Sequence, residues 1–467
     1  MKKIIKSFSI VLISNIVSFI ITALVTFIVP KQLNVENYGY FQLYLFYIGY
    51  IGFLHFGWAD GILLRYGGKY YETLNKSLFK GQIYLFSIVE IILAFALVLV
   101  SIFTVEVVDR EVVCIFTGVA IILLLPRTFL QYILQCTNRL KECAFQTIIE
   151  KIFYLLIVLL ALSMRGDSFL PLLIADVIGK AVALCYSIYQ CRDIFTAKIA
   201  RIKDIIKESL DNIRVGIKLM FANIAASLII GIVRFSIERQ WDVATFGKIS
   251  LTMSVSSLLM VFIRAVSTVV FPLICRSENQ KIVAYYNVLK TLVMMPLLGM
   301  LVLYYPIKEI LSIWLPQYSD SLNYMALLFP MCIYESKMSM LIETYMKALR
   351  KEKWLLSINL ITVILSCILT CASVYILHNL NLAVLTIVVV LAFRCILAEI
   401  SVSMILDISN MQDIVIETLL TIVFIFSSWY IGGFLGVIVY TMFYCIYLYI
   451  KRNDIKWMYK QLRLHIR

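Results

Sequence analysis

Arg127 and Arg264 sit inside long apolar stretches with no carboxylate three or four residues away. Lys337 is similar, although Glu335 and Glu343 flank it at two and six residues. Lys180, Arg234 and Arg394 complete a set of cations in apolar surroundings, with Asp176, Glu238 and Glu399 close by in sequence. Glu90 stands alone, and Asp60 lies in GWADGILLRYGG. A charge at the bilayer centre costs at least roughly 2.5–3.5 kcal/mol, so such groups face a protein interior or a water-filled cavity. Arginine there would hold a phosphate bidentately and lysine would act as a point charge. The expectation is a central, mainly cationic cavity built from Arg127, Arg264, Lys337, Arg394, Lys180 and Arg234. Asp60, Glu90, Asp176, Glu335, Glu343 and Glu399 are the coupling or gating candidates. Structural ion pairing is the competing account, above all where the partner is one helical turn away, as in Asp176–Lys180 and Arg234–Glu238.

Other chemistry finds no support in the sequence. There is no P-loop, no GxSxG and no HExxH, and no large outer loop carrying an acidic pair. The 11 cysteines show no CxxC or Cys/His spacing, and the 3 histidines are dispersed. The expectation is therefore a protein that is not an enzyme and uses no metal and no cofactor. The net charge of +14 is scattered between apolar runs, which fits positive-inside topology and attraction to membrane lipids, not nucleic acid.

The elements that must position these residues are membrane helices. The chain is 62% hydrophobic and 15% charged, too few polar residues to clothe a soluble globule. Apolar runs bounded by charge predict about 14 spans. The first, Phe8 to Pro30, is uncharged and long enough to cross a hydrocarbon core of roughly 30 Å. It reads as a retained span, not a cleaved signal. With both termini cytoplasmic, about 29 Lys/Arg fall inside and about 6 outside.

The chain also repeats. SNIVSFIITALV (Ser14 to Val25) aligns without gaps to ANIAASLIIGIV (Ala222 to Val233), and the same 208-position register pairs Gly39 with Gly247. Each copy begins after an even number of spans, so the repeats are parallel. Four segments follow: a six-helix lobe at 1–190, a basic amphipathic linker at 191–211, a second six-helix lobe at 212–406, and a two-helix appendix with a basic tail at 407–467. The fold class is all-α integral membrane. Ser14, Ser18, Thr22 and Thr26 recur every fourth residue, and the expectation is that this stripe lines the cavity while the seventh span mainly packs.

Three segments resemble a known family. VPKQLNVENYGYFQLYLF (residues 29–46) looks like the apolar-Pro-basic-x-Leu … Tyr-Gly-x-aromatic signature of polysaccharide-export and O-antigen flippases. GWADGILLRYGGKYY (57–71) is similar to their Gly-x-x-Asp-Gly-x-x-Arg-Tyr segment, and FPLICRSEN (271–279) resembles their aromatic-Pro motif. The resemblance implies a member of the multidrug/oligosaccharidyl-lipid/polysaccharide exporter superfamily in a bacterial cytoplasmic (inner) membrane. It implies translocation of an undecaprenyl-diphosphate-linked oligosaccharide by alternating access, with ion coupling, in O-antigen or lipopolysaccharide assembly. Partners would be the lipid-linked oligosaccharide, membrane lipids, and envelope-glycan polymerase and chain-length machinery. The rivals are a multidrug/cation antiporter of the same superfamily and a membrane polymerase or acyltransferase of envelope glycans. The in-span excess of Arg and Lys argues against the first, and the short outer loops against the second.

Overall fold

The computed structural model describes residues 2–164, 166–275 and 279–458, and all regular structure among them is helical. In hydrocarbon every backbone N–H and C=O must be satisfied within the segment, which leaves long apolar runs the helix as their form. Among the described residues, twelve helical segments are long and apolar enough to cross a membrane, including the short C-terminal ones, Met411–Ile431 and Gly433–Ile450. The expected count of about 14 rests on two further helices that do not meet that test. One is 17 residues long, and the other extends into residues whose side chains lie outside the described set.

The chain forms two compact units, Met1–Ile224 with Val243–Gly247, and Ala225–Asp242 with Lys248–Arg467. The first contains α1 (Lys2–Gln32), α2 (Val35–Ile51), α3 (Trp58–Tyr66), α4 (Lys76–Thr104), α5 (Val108–Cys136), α6 (Leu140–Ser163), α7 (Leu170–Gln190), a short α8 (Arg192–Thr196) and the beginning of α9 (Ile202–Gln240). Helix α6 packs on α1 and α7, while α5 packs on α2, α3, α4 and α7. An apolar core of Trp58, Phe79, Phe86, Leu125, Phe129 and Ile133 joins α3, α4 and α5. Asn34 caps α2, its side chain accepting from the Asn37 N–H at 2.8 Å. Asp167, in the α6–α7 loop, accepts from the Asn34 backbone at 2.9 Å and side chain at 2.6 Å.

Helix α9 is one unbroken rod of 39 residues. Residues 202–211 of the stretch expected as a linker at 191–211 are its first part, because no proline interrupts it before the apolar run, while α8 lies in the remainder. Its length of about 58 Å exceeds the hydrocarbon thickness of roughly 30 Å, so the charged end extends beyond the apolar layer. Ile205, Ser209, Asn212 and Met220 are buried, and Ile202, Ile206 and Leu210 are exposed.

Glycines set the close approaches. Gly57, which precedes α3, and Gly61 within it lie against the α9 backbone at Gly216, Ile217 and Asn212, leaving no space for a Cβ. Replacing Gly61 by leucine is expected to cost about 1–3 kcal/mol by overpacking. Thermal unfolding in detergent reads this, and an unshifted midpoint would show that the α3–α9 contact is not needed. Gly39 and Gly247, matched by the 208-residue register, touch each other: a Cβ on Gly247 would lie 2.7 Å from the Gly39 Cα.

The polar stripe of α1 divides. Ser14 is buried and donates to the Ala144 carbonyl of α6 at 3.2 Å, a packing role. Thr22 and Thr26 donate back to the carbonyls of Ser18 and Thr22, each at 2.8 Å.

The second unit holds the rest of α9, most of α10 (Val243–Cys275), α11 (Asn279–Met300), α12 (Tyr304–Trp314), α13 (Tyr324–Leu328), α14 (Met331–Lys337), α15 (Glu343–Ala348), α16 (Glu352–Thr370), α17 (Leu380–Leu406), α18 (Met411–Phe426) and α19 (Gly433–Ile450). Helix α17 packs against α13, α14 and α16. The core includes Tyr286, Met331, Tyr334, Met338, Tyr345, Val388 and Cys395. Between α14 and α15 the chain widens into a π turn over Met338–Ile342.

Candidate functional site

A chain of alternating charges runs through the second unit. Lys337 of α14 lies between Glu399 of α17 and Glu417 of α18, 2.5 Å from the latter. Glu399 also meets Lys290 of α11 at 3.0 Å, and Lys290 reaches Asp413 of α18 at 2.8 Å. Asp413 pairs with Lys451, just beyond α19, which reaches Asp454 at 2.7 Å. Lys337 and Lys290 are each 3% exposed and Glu399 is 1% exposed. Ions this deep persist only when opposite charges neutralise them at close range. A cavity of about 10 Å³ beside Lys337, Glu399 and Glu417 has room for a single water.

Arg394 makes a second cluster. Its Nε donates to Asn359 Oδ1 at 2.9 Å, and its two terminal nitrogens meet Glu335 at 3.4 Å and Glu343 at 3.2 Å. Glu335 and Glu343 are eight residues apart, which puts them about 80° apart on a regular helix. The π turn at Met338–Ile342 adds in effect one residue, reducing the angle to about 20° and placing both carboxylates on the Arg394 side.

In the first unit Arg127 of α5 pairs with Glu150 of α6 at 2.7 Å. The Arg127 Nε has no hydrogen-bond partner among the described residues, and neither has either amide atom of Gln146, a buried residue one turn before Glu150. Lys180 pairs with Asp176, and Asp176 also accepts from the Tyr44 hydroxyl at 2.7 Å. Glu90 is 1% exposed, with no hydrogen bond to either oxygen among the described residues. Asp60 is buried beside His55, 3.8 Å from its Nε2. Arg65 turns away from Asp60, to Glu208 at 2.7 Å and Asn212 at 2.5 Å. Tyr66 donates to Glu208 at 2.5 Å, and burial, followed by that carboxylate, pushes its phenol above the ordinary range. In the second unit Arg234 donates to the Ser250 hydroxyl at 3.0 Å. The Arg264 side chain lies outside the described set, as do all the side chains of the FPLICRSEN segment.

These buried charges line all-helical units of a chain whose sequence also matches a known family. A family model described as polysaccharide biosynthesis protein matches residues 2–278. The chain belongs to that family. Among curated proteins no sequence match is found. An inward closed structure of the lipid II flippase MurJ is similar, at 16% identity and a TM-score of 0.66, over 96% of this chain and 99% of that one. An inward-facing multidrug resistance MATE transporter of the MOP superfamily is similar at 12% identity and a TM-score of 0.58, covering 83% of this chain and 92% of its own. A MOP superfamily transporter from Pyrococcus furiosus has 11% identity and a TM-score of 0.51, with 86% and 96% covered. At these identities the likeness shows the fold: a multi-pass membrane protein built as flippases and transporters are built.

In this polysaccharide biosynthesis protein the motif around Asp60 has a structural use. Its glycines admit α9, and its Arg65 and Tyr66 clasp Glu208 and Asn212 of that helix. The structure joins Lys337, Glu399, Arg394, Glu335 and Glu343 into two neighbouring clusters. Sequence reading passed over their partners Lys290, Asp413 and Glu417, and over Glu150 beside Arg127. Lys290 and Glu417 each interrupt an apolar run, a signal available from the sequence alone.

Among the described residues no group of His, Cys, Asp and Glu is arranged to hold a metal ion.

Proposed function

We propose that this protein is a flippase for a polyprenyl-diphosphate-linked oligosaccharide in the bacterial cytoplasmic membrane, working by alternating access with both termini cytoplasmic. The observation that carries the reading is membership of a polysaccharide biosynthesis family by a chain whose described residues include twelve helices long and apolar enough to cross a membrane. The fold shared with a lipid II flippase supports it. A diphosphate and a row of sugar hydroxyls cannot cross hydrocarbon unaided, because each bare charge or unpaired polar group is costly there. Arg127 supplies a suitable group. Its pairing with Glu150 keeps a guanidinium stable inside the unit, and its Nε remains available to an incoming phosphate. Lys180, Arg234, Arg264, Lys337 and Arg394 stay proposals in the same role, with Asp60, Glu90, Asp176, Glu335, Glu343 and Glu399 for coupling. The O-antigen repeat unit is the substrate class proposed, with envelope-glycan polymerase and chain-length proteins as partners. Depletion of the protein in its host tests this. Lipid-linked repeat units are expected to accumulate on the cytoplasmic leaflet, and an undisturbed leaflet distribution would end the proposal.

One observation favours a second reading, export of organic cations. Glu90 is a buried carboxylate with no hydrogen-bond partner among the described residues, the kind of group that retains a cation. Efflux of cationic dyes that is lost in Glu90→Gln would support it over the first.

A further inference from the structure

At the turn between α18 and α19 the second unit holds a cavity of about 370 Å³, within the range of ligand sites. Its walls include Tyr304, Tyr305, Lys308 and Glu309 of α12, and Gly432, Gly433, Phe434 and Val437 at the start of α19. Four features converge there. Gly432 and Gly433 have φ of +64° and +50°, and they bring the backbone round with no side chain over the turn. Gly436 is the first residue of α19 to donate back, to the Gly432 carbonyl, so the N–H groups of Gly433, Phe434 and Leu435 have no acceptor within the helix. Gly432 also supplies no side-chain cap. Tyr304 is 1% exposed, yet its hydroxyl has no partner among the described residues. Lys308 is half-buried, with Glu309 exposed beside it.

We propose that this cavity binds a glycerophospholipid with a zwitterionic, amine-bearing headgroup. Three N–H groups without an acceptor in the helix, at the positive end of an 18-residue helix, suit a phosphate together with Lys308. Glu309 balances the charge and suits the amine. The surroundings decide for a lipid over free phosphate, because Phe434 of the cavity wall exposes its ring, as do the apolar side chains of Tyr430, Leu435, Ile310 and Ile313, which lie close to wall residues in sequence. An occupant with acyl chains covers that surface, and inorganic phosphate does not. The turn lies at the end of α19 opposite Lys451, so on the expected topology the lipid belongs to the outer leaflet. The site is separate from the buried charges and does not depend on the flippase reading.

The test uses full-length protein, delipidated in detergent and titrated with lipids of identical acyl chains, with bound lipid counted by native mass spectrometry. Phosphatidylethanolamine is expected to bind best, phosphatidylglycerol less well, and diacylglycerol least. Lys308→Gln is expected to weaken phosphatidylethanolamine about tenfold, the loss of one charge-assisted hydrogen bond. Glu309→Gln should erase the preference over phosphatidylglycerol, and Val437→Trp should remove binding by filling the cavity. Melting curves of the variants, expected to match the parent, separate lost binding from lost folding. Diacylglycerol binding as well as phosphatidylethanolamine, unchanged binding in both Lys308→Gln and Val437→Trp, or displacement of the lipid by millimolar inorganic phosphate would each overturn the proposal.

Discussion

Replacing Lys337 by methionine is expected to destabilise the protein by about 3–5 kcal/mol, the cost of leaving buried charge uncompensated. Glu399 and Glu417 would then face each other across the vacated position, with Glu399 keeping Lys290 and Glu417 losing the cation it pairs with. The melting temperature in detergent and the yield of folded protein from membranes read the effect. The double variant Lys337→Met/Glu417→Gln should recover most of the loss, because Glu399 keeps Lys290 at 3.0 Å. The same bookkeeping applies to the C-terminal helices. Truncation after Leu406 removes Asp413 and Glu417 together and leaves the two buried lysines, Lys290 and Lys337, to share Glu399 alone, so α18 and α19 are expected to be required for a folded second unit. A Lys337→Met protein as stable as its parent would show that the charge chain does not hold these helices.

Arg127→Ala is expected to lower translocation at least about tenfold, since a charged hydrogen bond contributes about 1.5–3 kcal/mol. That variant also strands Glu150, so folding and function fall together. The neutral pair Arg127→Gln/Glu150→Gln separates them. It removes both charges while keeping similar volume and polar contact, and is expected to fold nearly as well as the parent while staying defective in transport. Arg127→Lys should be intermediate, because an ammonium meets phosphate as a point charge and not as a planar fork. Normal transport by the neutral pair would make Arg127 a structural ion and remove it from the mechanism.

The helical membrane architecture was legible because its signal is thermodynamic and local: a run such as residues 8–30 has one way to satisfy its backbone in lipid. The repeat was legible for a similar reason. Gly39 and Gly247 aligned in the register, and they are where two backbones touch. Pairing of the buried ions was less so. Asp176–Lys180 is a one-turn pair and reads directly from spacing. The partners of Lys337 are 62 and 80 residues away, on helices whose neighbours only the folded chain defines. Arg394 was read beside Glu399, yet it meets Glu335 and Glu343, because the π turn at Met338–Ile342 rotates the following residues out of the regular 3.6-residue period. The α1 stripe shows the reverse problem: four hydroxyls at one spacing look equivalent, but Ser14 meets another helix while Thr22 and Thr26 bond to their own.

The most direct measurement places purified protein in sealed vesicles with a fluorescent undecaprenyl-diphosphate oligosaccharide and follows quenching by a membrane-impermeant reductant. The account predicts that the protein exposes the inner-leaflet pool to the quencher, and that Arg127→Gln/Glu150→Gln vesicles retain it as protein-free vesicles do. Vesicles containing folded protein that shield the inner pool as fully as empty ones, while exchanging organic cations, would contradict it.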